Sequence, residues 1–329
     1  MTVARPRVTV LEGDVPVQGL EPLQDLVDLV VVDAAGLPAV LPSTEALFLW
    51  DFFSDAAPDL VARAPRLRWV HVAAAGVDHL VTPELAASEV VVTNAHGVFD
   101  RRIAEYVLAC VSAHLKDLPA TWADQPARRW RTRETTDLAD RSVLVVGAGG
   151  VGRACARLLG AVGMRCRLLG RTARTDPEHG QVLGADDLAD AVAEADVVVM
   201  AAPLTEQTEG LLSRQVIARM RPGSFLVNVG RGRTVDQAAL TEALLSGHLA
   251  GAALDTFVVE PLPADDPLWD LPQVLVSPHT SSRTGSWRAE LAAQFCRLCR
   301  RWVDGQPLSP VVDTGLGFVP AAPAPPPGS

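Results

Sequence analysis

Residues 147–152 read G-A-G-G-V-G, so Gly147, Gly149 and Gly152 fall on a G-x-G-x-x-G spacing, with Gly150 and Val151 inside it. An apolar run, 142–146, leads into this stretch and a helical pattern over 153–159 leaves it. Between strand and helix the three glycines have separate uses. The first permits a tight turn, the second lets the backbone approach a pyrophosphate, and the third lets helix and strand pack closely. The helix N-terminus adds amide donors and a partial positive charge. The chemistry is that of holding a dinucleotide. The next apolar run, 166–169, should end beside the adenosine ribose, where an acidic residue would accept from the ribose hydroxyls. Gly170 stands there instead, followed by Arg171, Thr172 and Arg174. A guanidinium at that place suits a 2′-phosphate. NADP(H) is therefore expected in preference to NAD(H), with NAD(H) still possible.

Three further groups of polar residues close later apolar runs. They are Asn228-Val229-Gly230-Arg231-Gly232, Asp255 with Glu260-Pro261-Leu262-Pro263 after it, and Ser277-Pro278-His279-Thr280. In open parallel sheets ligands bind at the C-terminal ends of strands, which is where these groups would fall.

The elements that must position them form two alternations of short apolar runs and helical spacers. The first has candidate strands at 8–11, 30–32, 47–50, 69–72 and 90–93, and the second at 143–146, 166–169, 197–200, 225–229, 252–255 and 274–277. Such runs predict α/β architecture with parallel sheets covered on both faces, and the six of the second half match the doubly wound dinucleotide fold. Between them 100–118 predicts one long helix with Ile103, Val107, Cys110 and Val111 on its apolar stripe, followed by an Arg-rich loop near 125–140. The stretch 286–303 predicts another helix, and 318–329, rich in Pro and Ala, predicts a disordered tail.

Composition sets outer bounds. The chain has 329 residues, a prior for two domains at about 150 residues each. Lys+Arg number 29 against 39 Asp+Glu, a net charge of −10, which argues against nucleic acid as a partner. The one lysine, Lys116, is outside any GK[ST] context, so a P-loop NTPase or kinase is not expected. No apolar run reaches the roughly 18 residues of a membrane span, and the start lacks the apolar core of a signal peptide, so a cytoplasmic enzyme is expected. Five scattered cysteines suit a reducing compartment, and the Cys296-x-x-Cys299 pair sits in a helical pattern without a preceding strand, as buried helix residues would. Carboxylates and histidines show no metal-ligand spacing.

The ordered motifs make the chain, from about 69 to about 300, similar to the D-isomer-specific 2-hydroxyacid dehydrogenases. Two more segments share the likeness. Ala75-Gly76-Val77-Asp78 is similar to the family's substrate-carboxylate loop, and Pro203-Leu204-Thr205 with Thr208 is similar to its cofactor loop. The resemblance implies a triad of Arg231, Glu260 and His279. Reduction of a 2-keto acid needs a hydride and a proton, and His279 can give the proton near neutral pH. Glu260 would fix the tautomer of that imidazole, and Arg231 would hold the substrate carboxylate and polarise the carbonyl. Backbone amides of Gly76 and Val77, next to Ala75, would take the other carboxylate oxygen. Val229 and Asp255 would lie by the nicotinamide. Two positions depart from the usual pattern: Ala201-Ala202 precede Pro203 where a His is frequent, and Gly230 precedes Arg231 where Ala or Ser is commoner.

The same resemblance implies two doubly wound domains. A flavodoxin-like substrate domain would comprise 1–98 and 284–317, a Rossmann domain 99–283, with the active site in the cleft between. It also implies a homodimer through the 100–118 helix; Trp130 in the loop beyond would be a surface anchor or reach the partner's site. A glyoxylate/hydroxypyruvate reductase-like enzyme fits the Gly170-Arg171-Thr172 run. Alternatives are a phosphoglycerate dehydrogenase-like enzyme, disfavoured because no regulatory domain is expected after Arg300, and a dinucleotide-sensing corepressor-like binding protein. Formate dehydrogenase is disfavoured because that branch has Gln at the place of Glu260.

Overall fold

In the first unit five short strands run the same way. They are β1 (Arg7–Leu11), β2 (Asp28–Val32), β3 (Ala46–Leu49), β4 (Trp69–Val72) and β5 (Val91–Asn94), in the order β2-β1-β3-β4-β5. The protein is described by a computed structural model covering residues 5–52 and 59–320, so Phe53 and the tail beyond 320 lie outside the described residues. The described chain divides into two compact units, one running to Phe99 and resuming over Thr284–Pro320, the other Asp100–Arg283. The first has the flavodoxin-like strand order. Every residue of β3 and β4 is buried, as expected of central strands covered on both faces.

The period of two sets Trp69 and His71 on one face of β4, and the helix Trp287–Val303 covers it. Phe295 of that helix stacks on Phe48 at 4.0 Å and on Trp69 at 5.3 Å. His71 lies in the same stack, with Nδ1 2.8 Å from the Thr93 hydroxyl. Burial pulls its pKa down to about 3, so it is a neutral core residue. Cys296 and Cys299 are free and buried in the same helix, Cys296 touching the Gly19 carbonyl. Trp50 is buried and donates to the Val15 carbonyl at 2.8 Å, while Phe52 packs edge-on to Trp287. Phe318, placed by the sequence in the tail, pairs instead with Asp313 in an isolated bridge.

The second unit contains eight strands where the sequence predicts six. They are β6 (Ser142–Val146), β7 (Arg165–Leu169), β8 (Arg174–Asp176), β9 (Gly180–Leu183), β10 (Val197–Met200), β11 (Phe225–Asn228), β12 (Gly251–Leu254) and β13 (Val274–Val276). Their order is β13-β12-β11-β10-β6-β7-β9-β8, parallel throughout except for β8 at the edge. The strands that sequence reasoning misses are the hairpin β8–β9. Arg174-Thr-Asp carries no apolar residue and β9 buries only Val182 fully, so neither leaves a hydrophobic run to read. The predicted helix over 100–118 also divides. It ends at Leu115, Asp117 takes a left-handed conformation (φ 47°), and Pro119 opens a second helix, Leu118–Asp124. No helix among the described residues is long and apolar enough to cross a membrane.

Register is what positions the site. Leu169 pairs with Val146, Val146 with Met200, Met200 with Asn228, Asn228 with Leu254, and Leu254 with Val276. These six residues form one row across the sheet, and the next residue in each strand, Gly170, Gly147, Ala201, Val229, Asp255 or Ser277, begins a loop on the same edge. The row tolerates no bulk at its switch point between β6 and β10. A Cβ on Gly147 (φ +116°) would lie 2.7 Å from the Ala201 and Ala202 backbone, and one on Gly152 would lie 1.7 Å from the Gly147 carbonyl oxygen. Both neighbours are main chain and cannot swing aside. Gly152→Ala should therefore cost about 1–3 kcal/mol of stability, as overpacking does, and weaken dinucleotide binding. Urea unfolding midpoints and dinucleotide titration would measure both, and a variant as stable as the parent would disprove the close approach.

Candidate active site

The loop between β6 and the helix Gly150–Ala161 is shaped as an anion cradle. Gly149 is the N-cap of that helix and has no side chain with which to cap it. A Cβ on Gly149 would meet nothing within 4 Å. Amide donors, a helix dipole and open space above them fit the pyrophosphate of a dinucleotide. Beyond β7, Arg171 and Thr172 are exposed. Arg174 folds back: its Nη2 donates to the Ala148 carbonyl at 3.2 Å, and a Cβ on Gly170 would sit 2.8 Å from its Nη1. The β8–β9 hairpin that carries Arg174 is pinned to the helix by charge pairs. Arg153 bonds Asp176, and Arg157 donates to Glu178 at 2.8 Å. Those pairs take up the hairpin's acids, and Arg171 and Arg174 have no ion-pair partner among the described residues.

At the other end of the same edge stand Arg231, Glu260 and His279. His279 Nδ1 is 2.8 Å from Glu260 Oε2, and Oε1 of the same carboxylate accepts the Phe257 amide at 2.9 Å. Burial pushes the Glu260 carboxyl up. The hydrogen bonds from His279 and the Phe257 amide, with the charges of His279 and Arg231, outweigh this and hold it below its ordinary value of 4.5. Glu260 is thus an anion at neutral pH, aligned with one imidazole nitrogen, which leaves Nε2 as the nitrogen for acid–base work.

Two buried polar residues at strand ends hold these loops. Asn228 Oδ1 accepts the Gly230 amide at 3.1 Å, and its Nδ2 donates to the Arg231 carbonyl at 3.2 Å. The same carbonyl accepts the Thr234 hydroxyl at 2.6 Å. The Gly230 departure has a steric cause, since a Cβ there would lie 2.7 Å from the Ala202 carbonyl oxygen. Asp255 is completely buried, and its carboxylate accepts from the Ser277 hydroxyl at 2.6 Å and from the Thr280 and Ser281 amides at 2.8 and 2.9 Å.

Pro203 and Thr208 belong to one turn, in which the Thr208 hydroxyl donates to the Pro203 carbonyl at 2.6 Å and accepts the Thr205 amide at 2.8 Å. Val229 is buried beside it, its amide on the Met200 carbonyl at 3.0 Å. Ala75, Gly76 and Val77 lie in the first unit just beyond β4, with the Ala75 carbonyl bonded by Asn94 and Val77 in the core. Trp130 is fully exposed. Sequence reasoning left Asn228 and Ser277 without assigned places in the site, although each lay inside a motif it had marked. Among the described residues no group of three or more His, Cys, Asp or Glu could hold a metal ion.

A family model, the NAD binding domain of the D-isomer specific 2-hydroxyacid dehydrogenases, matches residues 108–281. Among curated relatives, a D-3-phosphoglycerate dehydrogenase of Bacillus subtilis is 31% identical over 90% of this chain, which spans 57% of that relative's length. A glyoxylate/hydroxypyruvate reductase B of Pectobacterium carotovorum is 34% identical over 71% of this chain and 75% of its own. Among solved structures, a D-isomer specific 2-hydroxyacid dehydrogenase from Xanthobacter autotrophicus in complex with NADPH and MES is 31% identical, with a TM-score of 0.84 over 96% of this chain and 100% of that one. An NADPH-dependent glyoxylate/hydroxypyruvate reductase from Sinorhizobium meliloti, in complex with NADP and sulfate, is 29% identical with a TM-score of 0.81 over 95% of this chain and 100% of that one.

The Glu260–His279 pair has a pH signature of its own. A carboxylate whose pKa is lowered on folding contributes stability that is complete above its unfolded value and lost as pH falls through its folded value. Urea unfolding between about pH 5 and pH 3 should show the parent losing stability more steeply than Glu260→Gln, in which this group no longer titrates. Parallel pH dependence in the two proteins would mean that the pairing contributes nothing to the folded state.

Proposed function

The chain belongs to the D-isomer-specific 2-hydroxyacid dehydrogenase family, and from that premise we propose that it reduces small 2-keto acids to D-2-hydroxy acids with NADP(H). The observation that carries the reading is the 2.8 Å contact between His279 Nδ1 and the ionised Glu260 on a sheet edge that also holds the glycine cradle. A reduced nicotinamide bound at that edge supplies the hydride. The amides of residues 147–152 would hold the pyrophosphate, and the turn at Pro203 and Thr208, with Val229 and the buried Asp255, would back the nicotinamide half. His279 would give the proton from Nε2 to the nascent alkoxide, with Glu260 stabilising the imidazolium before transfer. Arg231 would hold the substrate carboxylate and set positive charge where negative charge develops.

Glyoxylate and hydroxypyruvate are the proposed substrates. The basic turn after Gly170 supports that choice over a phosphoglycerate dehydrogenase-like activity, and relatives of both names match the chain. A dinucleotide-sensing binding protein is the other outcome, marked by tight dinucleotide binding and a silent panel of 2-keto acids. The same reading takes the enzyme as a cytoplasmic homodimer, with exposed Trp130 as a contact across it; sedimentation at micromolar concentration tests the assembly.

Two sets of variants test the chemistry. His279→Gln should keep NADPH binding and lose on the order of 10²–10⁴ in kcat, the range for a missing general acid. Glu260→Gln should likewise lower kcat with KM for NADPH within about twofold, since the imidazole loses its anionic partner. A His279→Gln enzyme within tenfold of the parent would remove the histidine from the mechanism. For the cofactor, charge-assisted bonds to a 2′-phosphate are each worth roughly 1.5–3 kcal/mol, so NADPH should show at least about tenfold lower KM than NADH. Arg171→Ala and Arg174→Ala should each erode that preference. Gly170→Asp, placing a carboxylate against Arg174, should turn it toward NADH. Equal KM values for the two cofactors in the parent would leave both arginines as solvated turn residues.

A further inference from the structure

His279 adopts φ +51°, the left-handed region that only glycine visits without cost. A non-glycine residue stays there when its surroundings over-determine it. The surroundings here converge on Asp255. Its carbonyl accepts the His279 amide at 3.0 Å, and its carboxylate takes the Ser277 hydroxyl before the histidine and the Thr280 and Ser281 amides after it. Behind Ser277 stands a residue from a different element. Tyr106, the one tyrosine of the chain, projects from the helix Asp100–Leu115 and brings its hydroxyl to 2.5 Å from Ser277 Oγ. Ser277 has a single hydroxyl proton and gives it to Asp255, so Tyr106 is the donor in that contact. Burial raises the phenol's pKa above its ordinary value, so it keeps the proton to donate. Cys110, one turn further along the helix, is pushed up to about 11 by burial and stays a neutral thiol beside it.

We infer that Tyr106 is a positioning residue for His279, acting through Ser277 and Asp255. With Tyr106 donating to one of its lone pairs, the Ser277 hydroxyl cannot turn its proton toward the phenol and keeps it on Asp255. The Asp255 carboxylate is then fixed to receive the two amides that close the loop on the far side of the histidine. The charged and titratable groups around that loop are Glu260 on the imidazole, Arg231 near Glu260, and Asp255, Tyr106 and Cys110 beneath it. The inference concerns how the imidazole is held toward Glu260, and its catalytic consequence rests on the reductase reading above.

The test compares Tyr106→Phe, Ser277→Ala and the double variant with the parent. Amide hydrogen exchange over 277–283 should quicken about three- to tenfold in each single variant, the equivalent of one lost hydrogen bond. With a 2-keto acid, kcat should fall about three- to tenfold while KM for NADPH stays within about twofold, because a looser loop holds the imidazole less well toward Glu260. The double variant should be no worse than Ser277→Ala, since the two side chains act in series. A Tyr106→Phe protein with a lower Tm but with parental exchange and kcat would make Tyr106 a packing residue only and overturn the inference. Additive losses in the double variant would also sink it. If Tyr106→Phe does not fold, Ser277→Ala decides through the same exchange readout. If the parent turns over no 2-keto acid, the reductase reading fails, while the exchange measurement still decides whether the clamp exists.

Discussion

The site depends on one constraint, the register of a parallel sheet. Residues as far apart in sequence as Gly147 and His279 come together because Leu169, Val146, Met200, Asn228, Leu254 and Val276 occupy one row. A parallel ladder is strict in this respect. Slipping a strand by one residue would turn its side chains to the opposite face; slipping it by two would shift a loop about 6–7 Å along the edge, beyond any hydrogen bond now made. The burial of Val143–Val146, Val197–Met200 and Phe225–Asn228 holds each strand in place. Chemistry at the edge therefore rests on hydrophobic packing well below it.

Polar groups refine what the register delivers. Buried side chains at two strand ends bind the loops that carry proposed reactive residues: Asn228 holds the Arg231 carbonyl, and Asp255 at the end of β12 binds the His279 loop that leaves β13, while half-buried Thr208 closes the turn after β10. A buried carboxylate without donors would be costly, and Asp255 meets three. Those donors come from residues 277, 280 and 281, so satisfying Asp255 and shaping the His279 turn are one event. This explains how a left-handed histidine persists without a glycine at its place.

Much of this was legible in the sequence because apolar strands and glycine turns leave local marks. Central strands such as 197–200 read directly as continuous Val-rich runs, and the G-x-G-x-x-G spacing with a strand before it and a helix after it marked the cradle. The β8–β9 hairpin was not legible, because its contacts are a short ladder with β7 and ion pairs with a helix some 20 residues away in sequence rather than an apolar pattern. Pro119 set the limit of the predicted helix at 118, and nothing in residues 116–118 marked the earlier break after Leu115. Tyr106 shows the other limit. It lies on the flank of an apolar stripe, where nothing in the spacing says that a serine 171 positions later will meet it. Contacts of that kind are set by tertiary packing alone, although a solitary tyrosine beside a core stripe was a sign to look for a partner.

Charge presents an opposite lesson. A net charge of −10 describes a chain that repels anions, yet the proposed ligands are an anionic dinucleotide and a carboxylate. The two statements agree once distance is considered. At physiological ionic strength the Debye length is about 8 Å, so charges scattered over a surface are largely screened at the site. The sources at the edge act within contact range: the uncapped helix N-terminus at Gly149, Arg174 folded over Gly170, and Arg231 beside Glu260. Pairing strengthens this selection. Asp176 and Glu178 are drawn onto Arg153 and Arg157, which neutralises the acids that would otherwise oppose a phosphate near Arg174. On the proposed reading, anion recognition would turn on which acids are paired within a few ångströms of the site, and total charge says little about it.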